Sequence, residues 1–245
     1  LLHHSDHRDG HVDGLVVWLA AWLVDRNQRR MTTYLITGVN RGLGAALLAG
    51  ATARGYTVVG TTRDGQDGTV PLALDDPARI AAQLAEIPPV DVLINNAGVI
   101  GPKAENQTPL DMDWDGFAHT LTVNTMAPLA VAQAVLPRLR ESRAPKIVTV
   151  SSQMAWMGYR KPTQIAYRAS KSALNKVMQG LATMLEPDGI PVVLVDPGWV
   201  RTNMGGMDAD EDPKEVAAGI LDISAKLTLA ETGKFLRFSG EEREF

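Results

Sequence analysis

Residues 31–245 predict a doubly wound α/β fold around a central parallel sheet of about seven strands, on three observations. Short apolar runs recur without alternating polar residues, segments of helical length separate them, and a glycine-rich turn follows the first run directly. A strand that does not alternate is covered on both faces, which requires helices on each side of the sheet.

Tyr34–Ile36 is the first such run, and the turn after it opens a helix predicted to reach about Arg54. Thr57–Thr61, Val70–Leu74, Val90–Ile94, Lys146–Val150 and Val192–Val195 are the second to sixth strands. Thr125–Arg140 and Tyr167–Leu185 have the length and spacing of helices between them. No repeat, low-complexity stretch or linker divides residues 31–245, so they are predicted to form one domain. In this architecture ligands bind outside the carboxyl ends of the strands.

Residues 1–30 read differently. Leu15–Val24 is a run of ten apolar residues, too short for a spanning helix, which needs about 20. Asp6, Asp9 and Asp13 precede it and no small-residue cleavage pattern follows, which argues against a signal peptide. Two readings stand: translated upstream sequence with the natural start at Met31, or a short amphipathic or buried helix for self-association or membrane contact.

The chain of 245 residues is 45% apolar, with 24 basic against 28 acidic side chains and a formal net charge of −4. Residues 1–30 hold four Arg and four Asp, so the excess negative charge belongs to the rest. That balance gives no footprint for nucleic acid or an anionic membrane, and a cytoplasmic location is expected. The absence of Cys removes disulfides, thiolate metal sites and cysteine nucleophiles together. Of five histidines, His3, His4, His7 and His11 crowd the start, leaving His119, read as a helix-surface residue. No metal site is predicted. Asp208, Asp210, Glu211 and Asp212 read instead as the solvated acidic start of a helix.

The chemistry must therefore come from other side chains. After the first strand comes Thr37-Gly38-Val-Asn40-Arg41-Gly42-Leu43-Gly44. Its glycines allow the backbone to turn tightly against a pyrophosphate, whose charge is stabilised by the amides and positive end of the next helix. At the end of the second strand, where a ribose-binding acid is expected, stands Arg63, able to pair with a 2′-phosphate. That favours NADP(H); Asp64 next to it keeps NAD(H) possible.

Tyr167 and Lys171 lie four residues apart on a predicted helix and so share one face. An ammonium beside a phenol favours the phenolate, lowering its pKa from about 10 toward a value useful for acid–base catalysis. Asn95-Asn-Ala97-Gly98 ends the fourth strand, Ser151-Ser152 the fifth, and Asn124 precedes the Thr125–Arg140 segment, so all can converge on one crevice.

These residues, with Asp75 after the third strand and Pro197, Gly198, Val200 and Thr202 after the sixth, resemble the short-chain dehydrogenase/reductase family of single-domain Rossmann-fold enzymes across essentially all of residues 31–245. The segments Tyr167–Asn175, Asp196–Gly206 and Gly233–Gly240 are most similar to its C-factor-like and sniffer-like carbonyl reductases. The resemblance implies that Tyr167 exchanges a proton with the substrate oxygen, Lys171 holds the nicotinamide ribose, Ser152 stabilises the developing charge and Asn124 positions the lysine through a water. It implies cofactor contacts from Gly38, Asn40, Arg41, Gly42, Leu43, Gly44, Arg63, Asp75, Asn95, Ala97, Gly98, Pro197, Gly198, Val200 and Thr202, and a homodimer or homotetramer built on the two long helices.

Two features depart from the family pattern. Ser152 precedes Tyr167 by 15 positions, slightly more than usual, which an insertion around Tyr159–Gln164 explains and which keeps Ser151 as a weaker candidate. Asn203–Asp212 makes a short lid, implying an open site for bulky or varied carbonyls. Met154, Trp156, Trp199 and Met204 are candidates for an apolar substrate wall, with core packing the competing reading. The expected function is NADP(H)-dependent hydride transfer between nicotinamide and a small-molecule carbonyl or secondary alcohol. The alternative is a dinucleotide-binding signalling or regulatory protein with vestigial catalysis. A sugar-nucleotide epimerase would need a substrate domain for which the length leaves no room.

Overall fold

The computed structural model describes residues 31–245, and both readings of residues 1–30 lie outside the described residues. In chain order the elements are β1 (Thr33–Thr37), α1 (Gly42–Ala53), β2 (Thr57–Thr62), β3 (Val70–Pro71), α2 (Ile80–Gln83) and β4 (Val92–Asn95). A two-stranded hairpin, β5 (Gln107–Thr108) and β6 (Asp111–Met112), leads to α3 (Trp114–Leu121) and α4 (Ala127–Glu141). Then follow β7 (Lys146–Val150), α5 (Ile165–Leu185), β8 (Val192–Asp196), α6 (Pro213–Lys226), β9 (Phe235–Arg237) and β10 (Glu242–Arg243).

The main sheet has eight strands in the order β10-β9-β8-β7-β4-β1-β2-β3. All neighbours are parallel except β9 and β10, so the predicted parallel core gains an antiparallel edge. The chain moves outward from β1 through β2 to β3, then returns to the other side of β1 with β4. Between the ends of β1 and β4 the crossover direction reverses, and a crevice opens there.

Alternation within each strand sends successive side chains to opposite faces, and both faces are packed. Leu35, Leu93, Ile147, Leu194 and Phe235 meet α4 and α5 through Val131, Val135, Leu174 and Met178. Tyr34, Ile36, Ile94, Val148 and Val195 meet α1 and α6 through Leu47, Val216 and Ile220. This two-sided burial is why the strands read as unbroken apolar runs.

Three boundaries differ from expectation. The predicted third strand, Val70–Leu74, pairs only over Val70–Pro71, because Pro71 has no N–H to continue a ladder at this edge; Leu72 closes it with one bond to the Thr62 carbonyl at 2.7 Å. α5 starts two residues before Tyr167, at Ile165. The helix expected from Thr125 begins at Ala127, because Thr122–Met126 forms a π-helical turn. Among the described residues no helix is long and apolar enough to cross a membrane.

Candidate active site

The glycine turn sits at the end of β1 on the reversal crevice. Gly38 and Gly42 have φ of +72° and +53°, which a side chain would strain. A Cβ on Gly38 would also lie 2.9 Å from Cβ of Ala97. The amides of Gly38 and Val39 donate to the Thr61 carbonyl at 3.0 and 3.1 Å, fixing the turn to β2. Asn40 and Arg41 are exposed, and Leu43 is half-buried. The turn thus leaves the start of α1 open to an anion, as a pyrophosphate cradle requires.

Arg63 is exposed just beyond β2. Its neighbour Asp64 is engaged locally, accepting from Gln66 Nε2 at 2.5 Å and weakly from Thr62 Oγ1 at 3.5 Å. Asp75 is exposed between β3 and α2.

Asn96, which follows Asn95 and carries no local signal of its role, fastens the crevice together. Its Nδ2 donates to the carbonyls of Thr37 and Gly38 at 2.9 and 3.2 Å, and its backbone N–H donates to Thr37 Oγ1 at 3.0 Å. Asn95, expected on the cofactor floor, is buried, and its Nδ2 donates to Pro128 O at 3.2 Å and Thr149 Oγ1 at 3.4 Å. Ala97 and Gly98, which follow it, are both half-buried.

The π turn carries Asn124, fully buried. A π turn widens the helix by one residue and frees backbone groups for other partners. Asn124 uses both ends of its amide: Oδ1 accepts from Val99 N at 2.8 Å, and Nδ2 donates to Val99 O at 2.8 Å and Ser170 Oγ at 3.0 Å. Ser170 in turn donates to the Tyr167 carbonyl at 2.7 Å, and Thr125 Oγ1 donates to Ser170 O at 2.8 Å. Ser170 therefore locks α5 to the π turn, a role the sequence reading missed. Lys171, only 4% exposed, donates to Val150 O at 3.0 Å. A side chain on Gly98 would approach Asn124 Oδ1 and Lys171 Nζ, at 3.1 and 3.7 Å from its Cβ.

The two serines divide cleanly. Ser151 Oγ donates to Asn175 Oδ1 at 2.5 Å, away from the phenol. Ser152 is buried and caps the short turn Gln153–Ala155 by accepting from Met154 N at 3.1 Å, and its hydroxyl acts to lower the pKa of the Tyr167 phenol. The extra residues between Ser152 and Tyr167 fold outward: Arg168 packs 4.6 Å from the Tyr159 ring and donates to Thr163 O at 2.8 Å, and Gln164 takes a left-handed φ of +56° to enter α5.

Lys171 Nζ lies 5.9 Å from the Tyr167 ring centroid. Burial nonetheless pushes the Tyr167 phenol up to about 12; the nearby Ser152 hydroxyl opposes this and the negative charge of Asp196 adds to it. Desolvation thus sets the direction, upward rather than the depression expected from the lysine. Burial also pulls Lys171 down, to about 8. Between about 8 and its ordinary 10.5 the unfolded chain holds this proton while the folded chain does not, so the lysine's contribution to stability rises with pH. The melting temperature of wild type relative to Lys171→Met is therefore expected to increase from pH 7 to pH 9.5. Thermal unfolding of both proteins at the two pH values checks this, and a constant difference contradicts it.

The segment after β8 closes the opposite side. Pro197 and Gly198 are half-buried, Val200 is buried, and Thr202 packs over the glycine turn, its Cγ2 3.1 Å from where a Gly42 Cβ would be. Trp199 Nε1 donates to Gly205 O at 2.7 Å, so the short lid is folded on itself. Trp199 and Met204 are each 47% exposed, and Met154 is half-buried. Trp156 lines a separate cavity of about 320 Å³ with Gln153, Tyr159, Phe235, Glu242, Arg243 and Glu244. The acids nearby have structural partners: Asp212 caps α6 by accepting from Lys214 N at 2.8 Å, and Glu211 pairs with Arg237 at 2.6 Å. Glu211 is thus an ion-pair member rather than part of a solvated helix start.

Comparison with known proteins gives a consistent result. The family model for short chain dehydrogenase matches residues 32–213. C-signal of Myxococcus xanthus is 39% identical over 155 residues, covering 63% of this chain and 92% of that protein. Carbonyl reductase Sniffer of D. melanogaster superposes with a TM-score of 0.81 at 28% identity, over 88% of this chain and 100% of that one. An NADPH-bound carbonyl reductase from chicken fatty liver superposes with a TM-score of 0.77 at 28% identity, over 88% and 100%.

Proposed function

Because this chain belongs to the short-chain dehydrogenase/reductase family, we propose that it is an NADP(H)-dependent oxidoreductase interconverting a carbonyl and an alcohol, with Tyr167 as general acid and base. The observation that carries the reading is the gathering of buried Tyr167, Ser152 and Lys171 at the strand ends of the reversal crevice, with Lys171 Nζ 5.9 Å from the Tyr167 ring centroid. The bound cofactor supplies or accepts the hydride at the carbonyl carbon.

The protein's part is proton transfer and positioning. In reduction, Tyr167 gives its proton to the oxygen as the carbon gains hydride, and Ser152 donates a hydrogen bond to that oxygen while negative charge develops. In oxidation the alcohol O–H proton passes to the Tyr167 phenolate as the C–H bond breaks. Lys171 would hold the nicotinamide ribose, and Asn124 keeps the Lys171 surroundings in register through Val99 and Ser170. The glycine turn would take the pyrophosphate, with Thr202, Pro197 and Gly198 at the nicotinamide end.

NADP(H) is favoured by the exposed Arg63 with Asp64 already engaged by Gln66, and by the NADPH held in the chicken relative. Arg63→Ala is expected to weaken NADPH roughly 10- to 100-fold, the worth of a charge-assisted contact of about 1.5–3 kcal/mol. NADH should change about twofold or less, since it has no 2′-phosphate for the arginine to hold. Equal losses in fluorescence titrations would contradict the 2′-phosphate role.

The second reading, a nucleotide-dependent signalling protein, is favoured by the name of the C-signal relative. NADPH oxidation measured against a panel of ketones and aldehydes separates the two. Carbonyl-dependent turnover supports the enzyme; tight NADPH binding without any carbonyl-dependent turnover overturns it in favour of signalling.

A further inference from the structure

Beyond the glycine turn, the end of β2 is tied back on itself. Thr61 O accepts the amides of Gly38 and Val39 at 3.0 and 3.1 Å, so Arg63 and Asp64 stand two and three residues past the anchor of the proposed pyrophosphate cradle. The backbone then doubles back through Gly65, Asp67 and Gly68, all at positive φ, before β3. A chain of hydrogen bonds holds that bend. Gly65 N donates to Thr62 Oγ1 at 3.0 Å, the Thr62 and Thr69 hydroxyls are bonded at 2.7 Å, and Thr69 Oγ1 donates to the Gln66 carbonyl at 2.6 Å.

Each hydroxyl has one hydrogen, which settles the direction of the chain. Thr69 gives its hydrogen to Gln66 O, so Thr62 is the donor to Thr69. Asp64 Oδ1, 3.5 Å from Thr62 Oγ1, is the more distant and poorer acceptor. Among the described residues the Asp64 carboxylate is therefore held by Gln66 alone, whose Nε2 donates to Oδ2 at 2.5 Å. Gln66 is itself fixed at its backbone, because its carbonyl accepts Thr69 N at 3.1 Å as well as the Thr69 hydroxyl.

We propose that Gln66 is a specificity-determining residue: it occupies the Asp64 carboxylate, so that Arg63 rather than Asp64 meets the 2′ position of the adenosine ribose. The proposal rests on the reading of Arg63 as the partner of the 2′-phosphate. A carboxylate released at the end of the second strand can accept the 2′-hydroxyl of NADH, the common use of an acid there. The same carboxylate repels a 2′-phosphate and competes with it for Arg63. Both effects move the preference toward NADH.

The test is the ratio of the NADH and NADPH dissociation constants, measured by fluorescence titration of the full chain. Gln66→Leu keeps the bulk and removes the donor, and because Gln66 is exposed the fold tolerates it. The variant is expected to tighten NADH and weaken NADPH, lowering the ratio roughly three- to tenfold, the worth of one hydrogen bond. In an Asp64→Asn background the same substitution should leave the ratio within about twofold, since no carboxylate remains to be released. A residue that only shapes the loop would weaken both nucleotides together and leave the ratio fixed, and that result overturns the proposal. So does a shift of the ratio that persists in Asp64→Asn. Arg63→Ala separates the two levels: equal loss of both nucleotides there removes the 2′-phosphate reading. NADPH-selective loss in Arg63→Ala with an unmoved ratio in Gln66→Leu removes only the role of Gln66.

Discussion

Tyr167→Phe is expected to lower carbonyl turnover by about 10²- to 10⁴-fold, the usual worth of a positioned proton donor. NADPH affinity should stay within about twofold, because the groups proposed to bind it, the glycine turn and Lys171, do not change. The substitution removes one oxygen and keeps the ring, which is 8% exposed and held by helix α5. Ser152 retains the Met154 amide at 3.1 Å. The residual rate comes from holding substrate and cofactor together, which needs no hydroxyl. The pH dependence fixes the sign. Burial holds the phenol up at about 12, so near neutrality it is protonated and ready to act as an acid. Reduction should therefore be nearly flat through neutral pH, while oxidation, needing the base, should rise with pH. The phenylalanine variant should lose that rise. Steady-state rates in both directions check this, and a variant with wild-type rates would remove Tyr167 from the chemistry.

How far these features could be read in advance depends on the range of the contacts that create them. The sheet was legible because two-sided burial leaves a local mark: Leu35 goes to one face, Tyr34 and Ile36 to the other, and all three are apolar. The Tyr167–Lys171 spacing was legible for the same reason, since one helical turn brings them together. The π turn was not, because one additional residue per turn leaves no trace in a 3.6-residue pattern. Nor were β9 and β10 read as strands, being only three and two residues long, with polar Glu242 and Arg243 forming the edge. Asn96, Ser170 and Asp196 act through partners 58, 46 and 43 residues away in sequence, beyond any local signal. An acid closing an otherwise apolar β8 was the one available hint for Asp196. The direction of the Tyr167 shift was misjudged because sequence reveals the neighbouring ammonium but not the depth of burial. Here desolvation is the largest influence on the phenol, and the cation stands 5.9 Å from the ring centroid.

Gly44→Ala should be the most damaging single-methyl change in the cofactor crevice. In an exposed helix the exchange would stabilise by up to about 1 kcal/mol through backbone entropy. Here the added Cβ would overlap the Gly38 carbonyl oxygen and approach Asn96 Nδ2 to 2.7 Å. Neither neighbour can yield easily. Gly38 is fixed by its own amide to Thr61 O at 3.0 Å, and Asn96 by its bond to Thr37 O at 2.9 Å. The start of α1 must therefore move away from β1, at a cost of about 1–3 kcal/mol or more from overpacking, which exceeds the entropic gain. That displacement carries off the helix N-terminus proposed to receive the pyrophosphate, so NADPH affinity should fall about tenfold or more. Gly50→Ala in the same helix is the control. Its Cβ would meet only Leu221 Cδ1 at 3.1 Å, the far end of a flexible side chain, and both stability and affinity should stay near wild type. Calorimetric melting and NADPH titration of the two variants check the contrast. A Gly44→Ala protein that binds NADPH as wild type does would mean that the cofactor lies elsewhere than on the glycine turn.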